Sequence, residues 1–350
     1  FAELEKSPEH VHTYRITPLS LWNSAASGCQ AEEIVQALTE YGKYPVPDNI
    51  AAEIADYMRR YGQLQLLRED DELILYSEDR YLITELKHQK TVQPYLIGEK
   101  DANRLLIDPA RRGHIKQALI KLGYPAEDLA GYVEGDSLEF ELRDTTLEGK
   151  PFSLRPYQEE AVRVFHAGGR STGGSGVIVL PCGAGKTMVG MGVMANLQAQ
   201  TLILCTNTTA VRQWIAELVD KCHISREMIG EYTGEAKELK PITVATYQIL
   251  TYRPNRDAEF PHFALFNARN WGLIIYDEVH LLPAPVFRIT AEIQARRRLG
   301  LTATLVREDE REEDVFTLIG PKRYDVPWKQ LEQEGYIASA TCTEIRLPLA

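Results

Sequence analysis

Residues 180–187 read Leu180-Pro181-Cys182-Gly183-Ala184-Gly185-Lys186-Thr187, between an apolar run at 176–180 and a helix-like run at 188–198. Glycines let the backbone wrap around a phosphate chain, so that successive N–H groups and the helix N-terminus face the anion. Lys186 can then reach the β- and γ-phosphates, and the hydroxyl of Thr187 can ligate Mg²⁺. The G-x-x-x-x-G-K-[ST] pattern has another glycine where this chain has Leu180, but strand, loop and helix follow in the expected order. The stretch predicts a nucleotide-binding loop formed by Pro181, Cys182, Gly183, Ala184, Gly185, Lys186 and Thr187.

From residue 152 onward, short apolar runs alternate with helix-length segments. The runs lie at 176–180, 201–205, 242–245, 273–276 and 299–302. Buried parallel strands joined by crossover helices give this pattern, which predicts an open α/β sheet over residues 151–350. Ligands of such sheets bind at the carboxyl ends of the strands, and the motifs that carry chemistry fall there.

The run at 273–276 delivers Asp277-Glu278-Val279-His280 at its carboxyl end. A carboxylate in this place can hold Mg²⁺ through water, and the adjacent Glu278 can polarise the attacking water. Taken alone, an acidic pair after a strand is equally an ordinary helix N-cap. Together with the phosphate-binding loop, it predicts a nucleotide hydrolase whose catalytic residues are Asp277, Glu278 and Lys186.

Two further motifs flank this arrangement. Arg155-Pro156-Tyr157-Gln158 precedes a helix, and the amide of Gln158 can bond an adenine edge in two directions. Thr302-Ala303-Thr304 ends the run at 299–302, where hydroxyls could sense the γ-phosphate. Taken alone, Gln158 is a surface residue and the threonines reflect β-propensity.

Residues 1–90 show three helical patterns followed by two strand patterns. Thr17-Pro18 has the form of an N-cap and first helical residue, and further helices are expected over 32–41 and from Pro47 until Gly62. Strands at 64–67 and 73–76 flank an acidic turn at 69–72. This order is typical of a winged-helix-like domain, which either contacts protein as a scaffold or binds DNA.

Residues 91–144 predict a small α+β domain, with strands near 95–99, 103–108 and 137–142 and a helix over 109–122. That helix carries Arg111, Arg112, Lys116 and Lys121, which form either a solvated face or a phosphate-contacting face. Polar residues at 144–150 mark the expected boundary to the sheet domain, which begins at 151.

The 350 residues carry 39 Lys and Arg against 50 Asp and Glu, a net charge of −11. Residues 1–150 hold 27 acidic and 17 basic residues, whereas 151–350 hold 23 and 22. This balance excludes a uniformly basic nucleic-acid-coating protein but allows a local basic track in the second part. Five scattered cysteines and the lack of a long apolar run predict a cytoplasmic protein with no membrane partner. Phe1 begins the chain without a leader pattern, and we expect it to lie inside a longer sequence.

The motifs, in their order, resemble the first motor domain of superfamily 2 helicases, and the XPB family in particular. The order is Gln158, then 183–187, 277–280 and 302–304. Arg307-Glu308-Asp309, directly after the Thr-Ala-Thr motif, is a hallmark of XPB helicases, and stretches 318–324 and 334–338 are similar to the family's approach to its second motor domain. The resemblance covers residues 152–350 firmly. The N-terminal half is similar to bacterial and archaeal members, with a damage-recognition-like domain near 92–142, through less specific motifs.

This resemblance implies a RecA-like fold and an ATP-dependent DNA translocase and 3′-to-5′ helicase of nucleotide excision repair. It implies ATP and Mg²⁺ as cofactors, with adenine recognised by Gln158 and Arg155, metal held by Thr187 and Asp277, and Glu278 as catalytic base. Coupling of hydrolysis to movement would fall to His280, Thr302 and Thr304. DNA binding or strand separation would fall to Thr206, Asn207, Thr246, Tyr247, Arg307, Glu308 and Asp309. Without the resemblance, these are ordinary loop residues and a solvated charged run.

A motor of this type closes its ATP site with an arginine finger from a second similar domain, worth roughly 10³–10⁵ in rate. Only 46 residues follow Thr304, so we expect the chain to be the N-terminal half of the motor, with slow ATP hydrolysis and no unwinding alone. Two alternatives are a translocase on duplex DNA that does not separate strands and a non-enzymatic docking module. The expected partners are forked or damaged duplex DNA and a nuclease or other repair protein.

Overall fold

The computed structural model describes residues 1–6, 13–170, 172–255, 260–293, 296–304 and 312–338. Its first part pairs two short antiparallel strands and packs three helices. These elements are β1 (Glu3–Lys6), β2 (Thr13–Arg15), α1 (Pro18–Ala26), α2 (Ala31–Tyr41) and α3 (Asp48–Arg60). Thr17 caps α1 as the sequence predicts, because its Oγ1 accepts from the N–H of Ser20 at 3.0 Å. The helices share a small core of Leu21, Ile34, Ile54 and Met58.

A mixed five-stranded sheet follows, with strand order β5-β6-β4-β3-β7. Its elements are β3 (Leu64–Glu69), β4 (Glu72–Tyr76), α4 (Arg80–His88), β5 (Leu96–Asp101), β6 (Arg104–Ile107), α5 (Arg112–Lys121) and β7 (Ala126–Asp128). The hairpin β3–β4 forms as predicted, but β4 also pairs with β6 and β3 with β7. The predicted division between domains 1–90 and 91–144 is therefore wrong, because it cuts through one sheet with one core. The alternation of apolar residues predicts which face of a strand is buried, but it does not predict which distant strand will pair with it.

The basic helix α5 also differs from both expectations. Arg112 and Lys116 are buried, and both bind the carboxylate of Asp128 on β7. Arg111 and Lys121 remain exposed. The two inner cations therefore serve neither a solvated face nor a phosphate contact.

The larger part is a seven-stranded sheet, parallel throughout, with strand order β10-β11-β9-β12-β13-β8-β14. Its strands are β8 (Ser175–Val179), β9 (Thr201–Cys205), β10 (Ile229–Tyr232), β11 (Ile242–Thr246), β12 (Leu273–Asp277), β13 (Arg297–Thr302) and β14 (Lys322–Asp325). Its helices are α6 (Pro156–His166), α7 (Lys186–Leu197), α8 (Thr208–Lys221), α9 (Tyr247–Thr251), α10 (Ala284–Glu292), α11 (Glu312–Asp314) and α12 (Trp328–Gln333). Apolar cores cover both faces. The predicted α/β fold and its five inner strands are confirmed, and the structure adds β10 and β14 at the two edges.

Short 3₁₀ turns and one π-helical turn complete the described secondary structure. They are Gln93–Tyr95, Pro109–Arg111, Ala167–Gly169, Arg226–Met228, Pro261–Asn267, Val279–Leu281 and the π turn Val315–Ile319. Among the helices of the described ranges, none has the length and apolarity that crossing a bilayer requires.

The segment at 132–144 belongs to the larger part rather than to the predicted α+β domain. Leu138 and Phe140 are buried in the core of the seven-stranded sheet. The N–H of Leu138 donates to the carbonyl of Gln198 at 2.8 Å, so the segment lies beside the C-terminal end of α7. The expected boundary at 144–150 therefore lies too late, because alternating apolar residues of a short strand-like segment can pack against helices without joining a sheet.

The two parts of the chain are in direct contact. Trp22, Ile120 and Phe316 form a shared apolar cluster. The N–H of Lys322 donates to Oδ1 of Asn23 at 2.7 Å, immediately at the start of β14. The last strand of the large sheet is therefore anchored to helix α1.

Candidate active site

Three neighbouring strands bring the predicted motifs to one edge of the large sheet. β8 leads into the phosphate-binding loop, β12 ends at Asp277 and β13 ends at Thr302. Asp277 lies beside Leu301, and Thr302 lies beside Val179, in the parallel registers of these strands. Motifs that are more than ninety residues apart in sequence are therefore adjacent, as strand order in a parallel sheet allows.

The phosphate-binding loop has the backbone shape that the glycines permit. Gly183 and Gly185 both have φ of +79°, a left-handed conformation that other residues adopt at a cost. Gly185 is the N-cap of α7, so the next residue, Lys186, begins the helix. Nζ of Lys186 lies 3.0 Å from Oε1 of Glu278. Lys186 and the proposed base Glu278 are thus in contact at the N-terminus of α7, where the partial positive charge of the helix also favours an anion.

Asp277 is held from two other elements, at its carboxylate and at its backbone oxygen. The indole N–H of Trp214 on α8 donates to its Oδ2 at 2.9 Å. The hydroxyl of Tyr247 on α9 donates to its backbone oxygen at 3.0 Å. Burial raises the pKa of Asp277, and the hydrogen bond from Trp214 opposes that shift by stabilising the anion.

Glu278 has a left-handed backbone, with φ of +51°, at the point where β12 turns into the next segment. Its Oε2 lies 3.5 Å from Nδ1 of His280, and the same nitrogen lies 2.8 Å from Oγ1 of Thr302. Oγ1 of Thr302 in turn accepts from the N–H of Thr304 at 3.2 Å. The structure therefore joins Lys186, Glu278, His280, Thr302 and Thr304 in one polar chain. A positive φ at a non-glycine residue is strain of a kind that clusters at functional sites.

Gln158 is buried rather than at the surface, and both ends of its amide are engaged within the protein. Its Oε1 accepts from the N–H of Arg155 at 2.9 Å, and its Nε2 donates to the carbonyl of Ala184 at 2.9 Å. Tyr157 also donates to that carbonyl, at 2.7 Å. Recognition of adenine by Gln158 stays a prediction, and the structure adds that the amide braces the phosphate-binding loop.

The predicted DNA-contacting residues divide into two groups. Asn207 is exposed, caps α8 by accepting from the N–H of Ala210 at 2.9 Å, and donates to the half-buried Thr206. Thr246 and Tyr247 are buried, and their hydroxyls face inward, one capping α9 and the other binding Asp277. Both hydroxyls are therefore engaged within the protein, and DNA binding by Thr246 and Tyr247 stays a prediction. Arg307, Glu308 and Asp309 lie outside the described residues.

The donor set fits Mg²⁺ with a nucleotide. Thr187 offers a hydroxyl in the first turn of α7 and Asp277 a carboxylate, and oxygen donors of this kind are those that Mg²⁺ prefers. Lys186 and the N-terminus of α7 supply positive charge for phosphate oxygens. Cys182 and Gly183 are exposed, so the outer side of the loop is open to a ligand.

Sequence reasoning missed three residues of the site. Trp214 and Tyr157 are described above, and the ring of Tyr336 packs at 5.2 Å from that of Tyr157 while its carbonyl accepts from Arg155 at 3.0 Å. The sequence around these three residues has no pattern that distinguishes a site residue from a core residue. Trp214 lies at a core position of an amphipathic helix, where a large apolar residue needs no functional explanation.

Comparison with known proteins gives two family matches and several close relatives. The family described as "Type III restriction enzyme, res subunit" matches residues 151–307, and "Helicase conserved C-terminal domain" matches residues 1–101. The "DNA 3'-5' helicase XPB" of Kineococcus radiotolerans is 53% identical over 350 residues, covering 100% of this chain and 61% of that protein. The protein of the same name from Mycobacterium tuberculosis is also 53% identical, with 62% of its length covered. The "General transcription and DNA repair factor IIH helicase/translocase subunit XPB" of Antonospora locustae is 34% identical, with 98% of this chain and 51% of that protein covered. The chain thus spans about three fifths of the length of the two bacterial relatives.

Proposed function

Since this chain belongs to the XPB family of superfamily 2 helicases, we propose that it supplies the ATP-binding lobe of an ATP-dependent 3′-to-5′ DNA helicase. The site residues support ATP and Mg²⁺ as cofactors. The whole activity needs DNA, on which the lobe would move by repeated ATP hydrolysis. Forked or damaged duplex DNA is the proposed substrate, and nucleotide excision repair at the nucleoid is the proposed setting.

The observation that carries this proposal is the 3.0 Å contact between Lys186 and Glu278 beside Asp277. In that contact the cation neutralises the carboxylate that would activate water. A γ-phosphate in the loop would compete for Lys186, so ATP binding would release Glu278 to accept a proton from the attacking water. Bound Mg²⁺ would supply further charge neutralisation at the phosphates, held by Thr187 and Asp277.

The polar chain from Glu278 through His280 to Thr302 would couple ATP hydrolysis to movement along DNA. His280 lies between Glu278 and Thr302, so a change in the position of Glu278 alters the hydrogen bond at the end of β13. Residues 305–310 follow Thr304 directly, and they include the proposed strand-separating triplet Arg307, Glu308 and Asp309. We assign His280, Thr302 and Thr304 to coupling for this reason, and Gln158 with Arg155 to the adenine base.

The test compares ATP hydrolysis and strand displacement by the complete gene product that carries this sequence. Lys186→Ala removes the phosphate-binding cation, and Lys150→Ala is the control, because Lys150 pairs with Glu148 at an exposed site. We expect Lys186→Ala to abolish DNA-stimulated ATP hydrolysis and forked-duplex unwinding, and Lys150→Ala to leave both within about twofold of wild type, as expected for an exposed ion pair.

The alternative functions give different results in the same experiment. A duplex translocase would hydrolyse ATP and displace a triplex-forming strand without opening a fork. A docking module for a nuclease partner would show neither DNA-stimulated ATP hydrolysis nor strand displacement in wild type, and Lys186→Ala would change nothing. Either result would replace the helicase proposal.

A further inference from the structure

Trp214 makes an unusual contact for a buried tryptophan. It is 1% exposed and lies on α8, where its N–H reaches Oδ2 of Asp277 rather than a backbone carbonyl. Its ring also fits against α7, because a Cβ added at Gly190 would lie 2.5 Å from its Cη2. One side chain therefore contacts the helix that follows the phosphate-binding loop and the carboxylate proposed to hold the metal.

α8 connects this contact to the protein surface. The helix starts at the exposed cap Asn207, seven residues before Trp214, which is about 10 Å along the axis. Among the predicted DNA contacts that lie in the described residues, Asn207 and Thr206 have accessible side chains. A phosphate bound at this end would pull on the same rigid helix that carries the indole.

Tyr247 makes a parallel connection from α9. Its hydroxyl binds the backbone oxygen of Asp277 at 3.0 Å, and its helix begins at the buried cap Thr246. Asp277 is thus fastened at its carboxylate by α8 and at its backbone by α9. Both helices begin at carboxyl ends of strands, at the same sheet edge as the phosphate-binding loop.

Packing alone does not explain these two polar contacts. The other fully buried tryptophan, Trp271, donates to the carbonyl of Leu265, and the buried Tyr276 shares a hydrogen bond with Thr290. Those groups are satisfied by structural partners away from the site. Trp214 and Tyr247 instead direct their polar atoms at Asp277, the residue proposed to hold the metal.

We propose that Trp214 and Tyr247 are positioning residues that make the geometry of Asp277 depend on the positions of α8 and α9, so that DNA and metal-bound nucleotide affect each other's binding. This inference rests on the proposed function. Because a hydrogen bond of 2.9 Å is lost near 3.6 Å, a shift of α8 of less than about 1 Å is enough to release Oδ2. Coupling of this kind is reciprocal between the two ligands.

The experiment measures binding rather than turnover, in the complete gene product. The affinity for Mn²⁺ is measured with the non-hydrolysable analogue AMP-PNP by electron paramagnetic resonance, with and without a short duplex. Trp214→Phe and Tyr247→Phe remove the two donors and keep the rings. Trp271→Phe and Tyr276→Phe remove equivalent buried donors elsewhere in the same sheet domain, and DNA-stimulated ATP hydrolysis is recorded for wild type.

In wild type we expect duplex DNA to change the Kd for Mn²⁺ at least about fivefold. Trp214→Phe should bring that ratio to within about twofold of one and raise the Kd without DNA about tenfold, since a hydrogen bond to a charged group is lost. Tyr247→Phe should reduce the ratio as well, and it tests the same inference if Trp214→Phe fails to fold. The two controls should keep the wild-type ratio.

Equal ratios in Trp214→Phe, Tyr247→Phe and their controls would overturn the inference while leaving the helicase proposal standing. A wild-type ratio of one beside DNA-stimulated ATP hydrolysis would do the same. Absence of DNA-stimulated hydrolysis in wild type would instead refute the proposed function and with it the coupling.

Discussion

Asp128→Asn should destabilise this protein far more than the loss of a surface carboxylate. Asp128 accepts from Nη2 of Arg112 at 2.6 Å and from Nζ of Lys116 at 3.0 Å, and the three side chains are 9%, 3% and 7% exposed. The ring of Tyr132 contacts two guanidinium groups, at 5.5 Å from that of Arg112 and 5.6 Å from that of Arg298. The carboxylate of Asp128 therefore offsets the charge of the buried cations Arg112, Lys116 and Arg298. We call this contact between the accessory part and the large sheet the joint.

The expected magnitude follows from what the substitution leaves behind. Asn keeps the shape and one acceptor oxygen, but Arg112 and Lys116 lose the charge that compensates for their burial. Removing one partner of a buried ion pair costs about 3–5 kcal/mol, because the remaining charge is left uncompensated. With a urea m-value of roughly 3 kcal/mol/M, the unfolding midpoint should fall by about 1–1.7 M.

The matched control is Asp56→Asn. Asp56 also binds two cations, Arg60 at 2.6 Å and Arg59 at 3.1 Å, but its side chain is 40% exposed. Exposed pairs contribute about 0–1 kcal/mol, so its midpoint should stay within about 0.3 M of wild type. The assay is urea unfolding followed by circular dichroism. If Asp128→Asn shifts the midpoint no more than Asp56→Asn does, the account of a charge-balanced joint is refuted.

Three further results are expected. Burial lowers the pKa of Lys116 from 10.5 to about 8, so between pH 8 and 10.5 the unfolded chain holds a proton that the folded chain lacks. The urea midpoint should therefore rise with pH from 8 to 9.5 more steeply in wild type than in Lys116→Met. Equal slopes in the two proteins would contradict this account. Gly185→Ala should lower the melting temperature more than Gly183→Ala. Both glycines have φ of +79°, but only a Cβ at position 185 would lie 2.5 Å from Nε2 of Gln158. Equal changes in melting temperature would show that the loop or Gln158 moves to accommodate the added methyl group. Thr302→Val should lower DNA-stimulated kcat about tenfold by removing the partner of His280, with nucleotide Kd within twofold, and an unchanged kcat would remove Thr302 from the coupling route.

The inner strands of the large sheet could be predicted from sequence because each is a buried apolar run with a motif at its end. β10 and β14 could not, since edge strands are short and polar, and the four residues of β14 are Lys322, Arg323, Tyr324 and Asp325. The accessory sheet was divided wrongly for a related reason. Hydrophobic periodicity identifies β3 and β4, but the pairing of β3 with β7 is set by packing between distant segments.

In the candidate site, sequence order placed the phosphate-binding loop and Asp277 because their spacing reflects local chemistry. It gave no sign that the hydroxyl of Tyr247 binds Asp277, because burial is a property of the folded sheet and a hydroxyl in a loop motif does not reveal its direction. It missed Trp214 because a core position on α8 already accounts for a large apolar ring. The polar end of such a residue is assigned only when its partner is known, and here the partner is Asp277.

The joint at Asp128 and the ATP site lie at opposite ends of the same strand. Arg298 is the second residue of β13 and contacts Tyr132, while Thr302 ends that strand beside His280, about 13 Å away. β13 is hydrogen-bonded to β12 on one side and β8 on the other, and we expect a strand held on both sides to act as a rigid spacer rather than as a two-state element. Asp128→Asn should therefore lower stability and leave the Kd of a fluorescent ATP analogue within about twofold of wild type in the absence of urea. A change beyond tenfold in a folded variant would mean that the accessory part acts on the ATP site, and β13 would then have to be more than a rigid spacer.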